Sequence, residues 1–472
     1  MKPSGEKPVI LVVDDVPGNI KALKAILAAN YKLLVATNGP DALEIVASKP
    51  VDLILLDVVM PKMDGFEVCR CLQANHETKD IPLIFVTAQQ DEVDETMAFE
   101  LGAVDYITKP FSPAVVQVRI LTQIRIRSLN RSLEQSNQFI RKTFGRYMSD
   151  EVVENILDTP EGLLLGGERK LVTVMMTDLR GFTAIGDRLL PEEVISMLNM
   201  YLETMTEIIL KYKGTIIEFL GDGILVVFGT PVTRDDDVQR AVACALEMQL
   251  AMPEVNVKNL EAGFPEVAMG CGINTGQVVA GNIGSDLRSK YGVVGNAINL
   301  ASRIESFTVG GQILVSDSTM QGCSAQLRVD DDWSVQIKGV SHPMTLYQIG
   351  GIAEPYSIQL PEPKNVALKS IPNGIAVRLT IMEGKRANLK FFGGTITEMD
   401  PPLVIVKTEL KARRLTNLQI ELVDCHGQSI TDQLYGKVVG EDEKPGYLKI
   451  QFTSIHPEAD QTFRQVLGDG SN

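Results

Sequence analysis

Cysteine and histidine are scarce in this chain of 472 residues: there are six cysteines, none in a Cys-x-x-Cys pair, and four ungrouped histidines. A structural zinc site needs these ligands clustered at short spacing, so none is expected. The scattered thiols (Cys69, Cys71, Cys244, Cys271, Cys323 and Cys425) read as free cysteines of a reducing compartment. Long apolar runs are missing as well. Stretches such as VDLILLDVVM (51–60) have the length of a strand and are broken by aspartate, which excludes a membrane span. No apolar signal core follows the N-terminal MKPSGEKP, so the expectation is a cytoplasmic protein with no membrane insertion. Positive charge is in deficit, with 45 Lys+Arg against 60 Asp+Glu and a formal charge of -15. That balance argues against a nucleic-acid surface or an anionic leaflet, both of which need clustered Lys and Arg. A single nucleoside triphosphate remains possible, because local residues and Mg²⁺ supply the charge it needs.

What is present is a globular mixture, 44% hydrophobic and 22% charged, in a chain too long for one core. Three domains are expected. Residues 8–112 alternate short apolar runs (VILVVDD, KLLVAT, VDLILLD, PLIFVTA, DYITKP) with helical patterns, as in a parallel sheet covered on both faces. Beyond Pro113, Gly and Pro are absent as far as Phe144, and Ile126, Leu129, Leu133, Ser136 and Ile140 form a heptad-like seam. The seam suggests a parallel two-stranded coil in a homodimer; a single amphipathic helix lying on its own domain is the alternative. A second mixed α and β block spans 171–350. The three prolines of EPYSIQLPEPKN (354–365) mark a linker, and alternating strands near the C-terminus (VIVKTEL, LQIELVD, YLKIQF) indicate a small β-barrel or sandwich closed by one short helix. The expected boundaries are 1–125, a helical linker 126–165, then 166–352, a linker 353–366, and 367–472.

In the first block, Asp14 and Asp15 end one strand and Asp57 another, Thr87 follows the fourth strand, and Lys109 follows the fifth. The carboxyl ends of parallel strands converge on one crevice, where three carboxylates make an oxygen-ligand site for one Mg²⁺. A carboxylate there can accept a phosphoryl group, with Lys109 and Thr87 as donors to its oxygens. The motifs VDD, LLDVVMPKMDGFE, FVTA and DYITKPF resemble the receiver domain of two-component response regulators, with its flavodoxin-like fold. That resemblance implies a phosphoacceptor at Asp57, Mg²⁺ on Asp14 and Asp15, a switch pair of Thr87 and Tyr106, and a cognate histidine kinase.

In the second block, VTVMMTDLRGFT puts Asp178 at a strand end, and GTIIEFLGDGILVVFG puts Asp222 in a Gly-flanked turn between strands. A hairpin tip beside a strand end can bring both carboxylates to two Mg²⁺ or Mn²⁺ ions, which suits in-line displacement at phosphorus. The backbone N–H groups of Phe182 and Thr183, at the start of a helix, are a natural place for phosphates. In YGVVGNAINLASRIE, Asn299 and Arg303 share a helix face, the first able to orient a ribose oxygen and the second to neutralise transition-state charge. Arg288 and Lys290 are further candidates for triphosphate contact, with an ordinary solvated loop as the other reading; Lys338 is a lesser candidate.

These motifs resemble the class III adenylyl/guanylyl cyclase catalytic domain, an α+β ferredoxin-like fold, over about residues 165–350. The preceding FGRYMSDEVVENIL and LLLGGERK resemble the lead-in segment of bacterial members. The resemblance implies head-to-tail homodimers in which Asp178 and Asp222 of one chain face Asn299 and Arg303 of the other. The ribose 3′-oxygen attacks the α-phosphate and pyrophosphate leaves; no dedicated general base is evident. Glu218 stands where an adenylyl cyclase presents Lys, and Gly292 where it presents Asp. One carboxylate accepts from both guanine N1–H and the 2-amine, but meets the adenine N1 lone pair unfavourably. GTP is therefore the expected substrate and ATP the alternative. Gly292 departs from the guanylyl cyclases' usual Cys and leaves guanine O6 to a backbone N–H.

Residues 368–467 resemble a PilZ domain in GGTITEMDPPLVI, YGKVVG and YLKIQFTSIHPE. The chain departs from that family's Arg-x-x-x-Arg and Asp-x-Ser-x-x-Gly ligand motifs, since Arg413 and Arg414 follow the turn rather than precede it. This argues for an interaction module that does not bind cyclic di-GMP. The whole reads as a cyclase regulated by receiver phosphorylation. A catalytically inactive scaffold is the competing class, although Asp178, Asp222, Asn299 and Arg303 are all in place.

Overall fold

The computed structural model describes residues 7–88, 99–145, 149–158, 164–337, 342–362, 368–383, 386–424, 428–430, 434–441, 444–455 and 457–467. Lys338 and Cys425 lie outside these. The chain forms two compact units, Met1–Thr143 and Phe144–Asn472.

In the first unit, β1 (Val9–Val13), β2 (Lys32–Ala36), β3 (Leu53–Asp57), β4 (Leu83–Ala88) and β5 (Asp105–Lys109) form a parallel sheet of order β2-β1-β3-β4-β5. Helices α1 (Pro17–Leu27), α2 (Gly39–Ser48) and α3 (Gly65–Ala74) connect the strands. The apolar runs are buried on both faces: every residue of β1 and β3 is inaccessible, as crossover connections require. Asn38 caps α2, and Asp64 with Glu67 forms a capping box on α3, so both helices start where their first N–H groups find acceptors.

Helix α4 (Pro113–Phe144) buries Val116 and Ile120 against the sheet, and Arg127 donates to the carbonyls of Val51 and Asp52 at 3.0 and 2.6 Å. The first unit therefore continues past residue 125, where a boundary was expected, without a break in the helix. Further along, Ile126, Leu129 and Leu133 are 46%, 61% and 63% exposed, so this stretch of the seam is largely uncovered among the described residues.

The second unit opens with α5 (Asp150–Asp158) and continues through β6 (Gly166–Arg180), α6 (Phe182–Gly186), α7 (Pro191–Lys211), β7 (Thr215–Leu220), β8 (Gly223–Phe228) and α8 (Asp237–Glu261). It goes on through β9 (Ala268–Ser285), β10 (Arg288–Val294), α9 (Asn296–Phe307), β11 (Ile313–Ser316), α10 (Asp317–Gly322), β12 (Leu327–Val335), β13 (Met344–Ile352) and β14 (Ile358–Gln359). The sheet order is β12-β13-β11-β9-β6-β8-β7, with β10 on β9 and β14 on β13. The main core gathers Met197, Tyr201 and Met205 of α7 with Cys244 and Met248 of α8 and sheet residues such as Met175 and Ile224. Ala297 and Ala301 of α9 belong to a second cluster with Val172 and Val174 of β6. Gly272 permits that approach: a Cβ there would lie 2.2 Å from the Glu305 nitrogen.

The segment expected as a linker at 353–366 is in large part pinned to this sheet. β14 pairs with β13, the Tyr356 hydroxyl donates to Asp236 at 3.0 Å, and Leu360 N–H donates to Gly350 O at 2.8 Å. A closed barrel of order β15-β16-β17-β20-β19-β18 follows, built from β15 (Lys369–Glu383), β16 (Arg386–Asp400), β17 (Leu403–Thr408), β18 (Asn417–Leu422), β19 (Leu434–Glu441) and β20 (Tyr447–Ser454). Helix α11 (Pro457–Leu467) buries Ala459 and Phe463 in its core, Phe463 stacking on Phe452 at 5.6 Å. No helix among the described residues is long and apolar enough to cross a membrane.

Candidate active site

Two acidic clefts were expected, and the structure places the carboxylates of each as follows. In the first unit, Asp14, Asp15 and Asp57 each bring a carboxylate oxygen within 4.8 Å of the others. Lys109 bridges Asp14 at 2.9 Å and Asp57 at 2.8 Å, while Asn19 donates to both oxygens of Asp14. Burial raises Asp57 above the usual carboxylate range, against the hydrogen bond from Lys109. Burial also opposes the Lys109 charge, but its hydrogen bonds to Asp57 and Asp14 prevail and raise it. An all-oxygen donor set at the mouth of a crevice fits a hard divalent cation. Thr87 is the penultimate residue of β4, its hydroxyl donating to the Ala88 carbonyl at 3.2 Å. Tyr106, in β5, lies under the Arg119 guanidinium at 5.0 Å.

In the second unit, the β7–β8 hairpin turns on Gly221 and Asp222, with Gly221 at φ 68° as a two-residue loop requires. Asp178, near the end of β6, faces that turn. Gly223 keeps the approach open, since a Cβ there would lie 2.9 Å from the Thr177 carbonyl. Asp222 accepts from Leu179 N–H at 3.2 Å, and burial followed by the adjacent Asp178 pushes its carboxyl up to about 7. Two carboxylates held together in this way, with one guanidinium 4.0 Å from Asp178, make a donor set that fits divalent cations on oxygen ligands. Phe182 and Thr183, after Gly181 at φ 73°, line the same cavity of about 770 Å³. Arg180 pairs with Glu305 and stands 4.0 Å from Asp178. Neither Arg180 nor Glu305 had been singled out in the sequence, although TDLRGFT placed the first beside the carboxylate.

Asn299 and Arg303 share one face of α9 as expected, but neither lines the cavity of Asp178 and Asp222 in the same chain. Glu218 follows a β-bulge at Ile217 and is half exposed; Lys290 of β10 donates to it at 3.0 Å. Lys290, a candidate for triphosphate contact, thus meets Glu218, the carboxylate expected to read the base. Gly292 is buried in β10 opposite Gly281, and Arg288 is exposed at the start of the same strand. Arg414, with no role evident in the sequence, reaches Asp331 at 2.5 Å and lies over the Trp333 ring at 4.2 Å.

Residues 10–121 match the response regulator receiver domain, and residues 167–351 match the adenylate and guanylate cyclase catalytic domain. Among curated proteins the chain is similar to Adenylate cyclase 1 of Rhizobium meliloti (strain 1021), 30% identical over 232 residues, which are 48% of this chain and 34% of that protein. It is also similar to the response regulator PleD of Caulobacter vibrioides (strain NA1000 / CB15N), 39% identical over 140 residues, which are 29% of this chain and 30% of that protein. Among solved structures it is similar to the guanylyl cyclase Cya2, 49% identical with a TM-score of 0.41, across 42% of this chain and 100% of that one. The chain spans about a third of the length of these curated relatives (34% and 30%).

Proposed function

A chain whose residues 10–121 are a response regulator receiver domain and whose residues 167–351 are a class III adenylate and guanylate cyclase catalytic domain is, we propose, a phosphorylation-regulated homodimeric enzyme that converts GTP to cyclic GMP and pyrophosphate. The observation that carries this reading is the convergence of Asp178 and Asp222 on one cavity beside Phe182 and Thr183. Two Mg²⁺ or Mn²⁺ ions held by those carboxylates would supply Lewis-acid charge for in-line displacement at the α-phosphorus. Phe182, Thr183 and Arg288 bind the phosphates. Asn299 and Arg303 come from the second chain, the first orienting the ribose and the second neutralising charge on the phosphoryl oxygens. This division of labour explains why both lie away from Asp178 in a single chain.

Glu218 reads the guanine N1–H and 2-amine, and Gly292 leaves room at O6. Asp57 takes a phosphoryl group from a cognate histidine kinase, with Asp14 and Asp15 holding one Mg²⁺ and Lys109, Thr87 and Tyr106 reporting the charge. The exposed seam of α4 joins two chains and carries the shift to the cyclase pair. Cyclic di-GMP is not a ligand of the barrel.

Specific observations favour a second reading, an enzyme that uses ATP: Lys290 beside Glu218 places an ammonium where adenine N1 could accept it, and the Rhizobium relative is named an adenylate cyclase. The test is cyclic nucleotide formation from GTP and from ATP with Mg²⁺ or Mn²⁺, using Asp222→Ala as the blank. GTP preference supports the Glu218 reading, and ATP preference transfers base recognition to Lys290. Turnover of neither would make the domain a nucleotide-binding scaffold.

A further inference from the structure

The C-terminal barrel packs against the cavity that holds Asp178 and Asp222. Opposite the carboxylates, β18 and β19 contribute Asn417, Tyr435 and Lys437, and β15 contributes Met382. Lys437 makes the deepest contact. Its ammonium, 2% exposed, donates to the carbonyls of Ser306 at 2.7 Å and Thr308 at 2.8 Å, at the C-terminal end of α9. A second latch lies outside the cavity, where Arg414 pairs with Asp331 and covers Trp333.

Solvent-open clefts of about 770 and 790 Å³, lined from both sides, flank the contact between the two domains. Lys437 faces carbonyl dipoles with Arg180 close by; burial first, and then Arg180, pushes its ammonium down to about 7. Two hydrogen bonds to carbonyls offset the desolvation of the Lys437 ammonium, and with the Arg414 pair and the apolar contact of Leu415 they hold the barrel in place. Small, polar and loosely packed contacts between domains are those that separate readily.

A nucleoside triphosphate with its cations has to reach Asp178 and Asp222 through the cleft that the barrel walls. We propose that the barrel is a detachable lid: latched by Lys437 and Arg414, it walls one side of the Asp178–Asp222 cleft, narrows it while leaving the Asp178 side chain 41% exposed, and holds the cyclase domain at rest until its release widens the way for substrate. The inference rests on reading that cleft as the cyclase site. A lid that is closed most of the time lowers apparent substrate affinity by the fraction of molecules that are open.

The test compares full-length wild type with Lys437→Ala and Arg414→Glu. Hydrogen exchange is followed in segments 303–309 and 434–438, alongside turnover of GTP and ATP. Arg414→Glu sets two carboxylates against each other at a half-exposed site, so it keeps the test decisive if the buried variant misfolds. Both variants are expected to exchange faster in the two segments and to raise turnover at low substrate by roughly tenfold, as for an open form populated at about 10%. A released barrel with turnover at or below wild type overturns the lid. Unchanged exchange in both variants overturns it too, because the named latches would not be what holds the barrel. Absence of turnover from every form, including released ones, overturns the cyclase reading, and the lid with it.

Discussion

The two acidic clefts of this chain use the same side chain and differ in what neutralises it. In the receiver, Lys109 lies within 3 Å of both Asp14 and Asp57 and is itself held charged by them. Three carboxylates and an ammonium are gathered by the strand ends of one small sheet, so the site is complete within a single chain. In the cyclase domain, no lysine among the described residues pairs with Asp178 or Asp222: Arg180 pairs with Glu305 and stays 4.0 Å from Asp178. Burial and mutual repulsion drive Asp222 up instead. A cleft balanced from within can wait for a phosphoryl group. On the proposed reading, one with less cationic cover is completed by cations and by groups from a second chain, which would make its activity controllable by assembly.

The largest effect that would break this contrast comes from removing a cyclase carboxylate. Asp222→Ala or Asp178→Ala is expected to lower turnover by roughly a thousandfold or more, the loss of several kcal/mol of metal-borne stabilisation. Asp57→Asn is expected to abolish uptake of acid-labile phosphate and, with it, any response of turnover to a phosphodonor.

Next in size is base choice. Glu218→Lys is expected to move the ratio of GTP to ATP turnover by about 10- to 100-fold toward ATP, the scale of leaving buried hydrogen-bonding groups unpaired. The electrostatic contrast is sharpened by pH. Because Asp222 is raised, the pair retains a proton below about pH 7 that a cation must displace. Mn²⁺ affinity should therefore climb up to about tenfold per unit toward pH 7 and level off above it. Calorimetric titration in an Asp15→Ala background, which removes the receiver cation, checks this, and Asp222→Asn should flatten the profile. The smallest effect belongs to Lys290→Met, a few-fold change in base preference, because the half-exposed pair with Glu218 is screened by solvent.

Much of this was legible beforehand, because strand ends carry their own signals. Asp14, Asp57 and Asp178 each terminate an apolar run, and Gly221 beside Asp222 marks a tight turn. Hidden features were those set by register or by distant packing. Lys290 meets Glu218 across 72 residues, through the pairing of β10 on β9 and β7 on β8. Lys437 meets Ser306 across 131 residues. The prolines of 354–365 argued for a free linker, but Tyr356 and Ile358 within it pack on the cyclase core. The seam on α4 suggested a boundary at 126, whereas Arg127 and Arg131 tie the helix back to Val51 and Asp52.

The central claim, that the cyclase cleft is completed by a second chain, is tested most directly by mixing two inactive proteins. Asp222→Ala and Arg303→Ala are each expected to be nearly silent alone. Co-folded in equal amounts, half of the dimers carry one intact site, so turnover should return to about a quarter of wild type. A mixture as silent as its parents, with mixed dimers demonstrated by differential tagging, would place all four residues in the service of one chain and contradict the account.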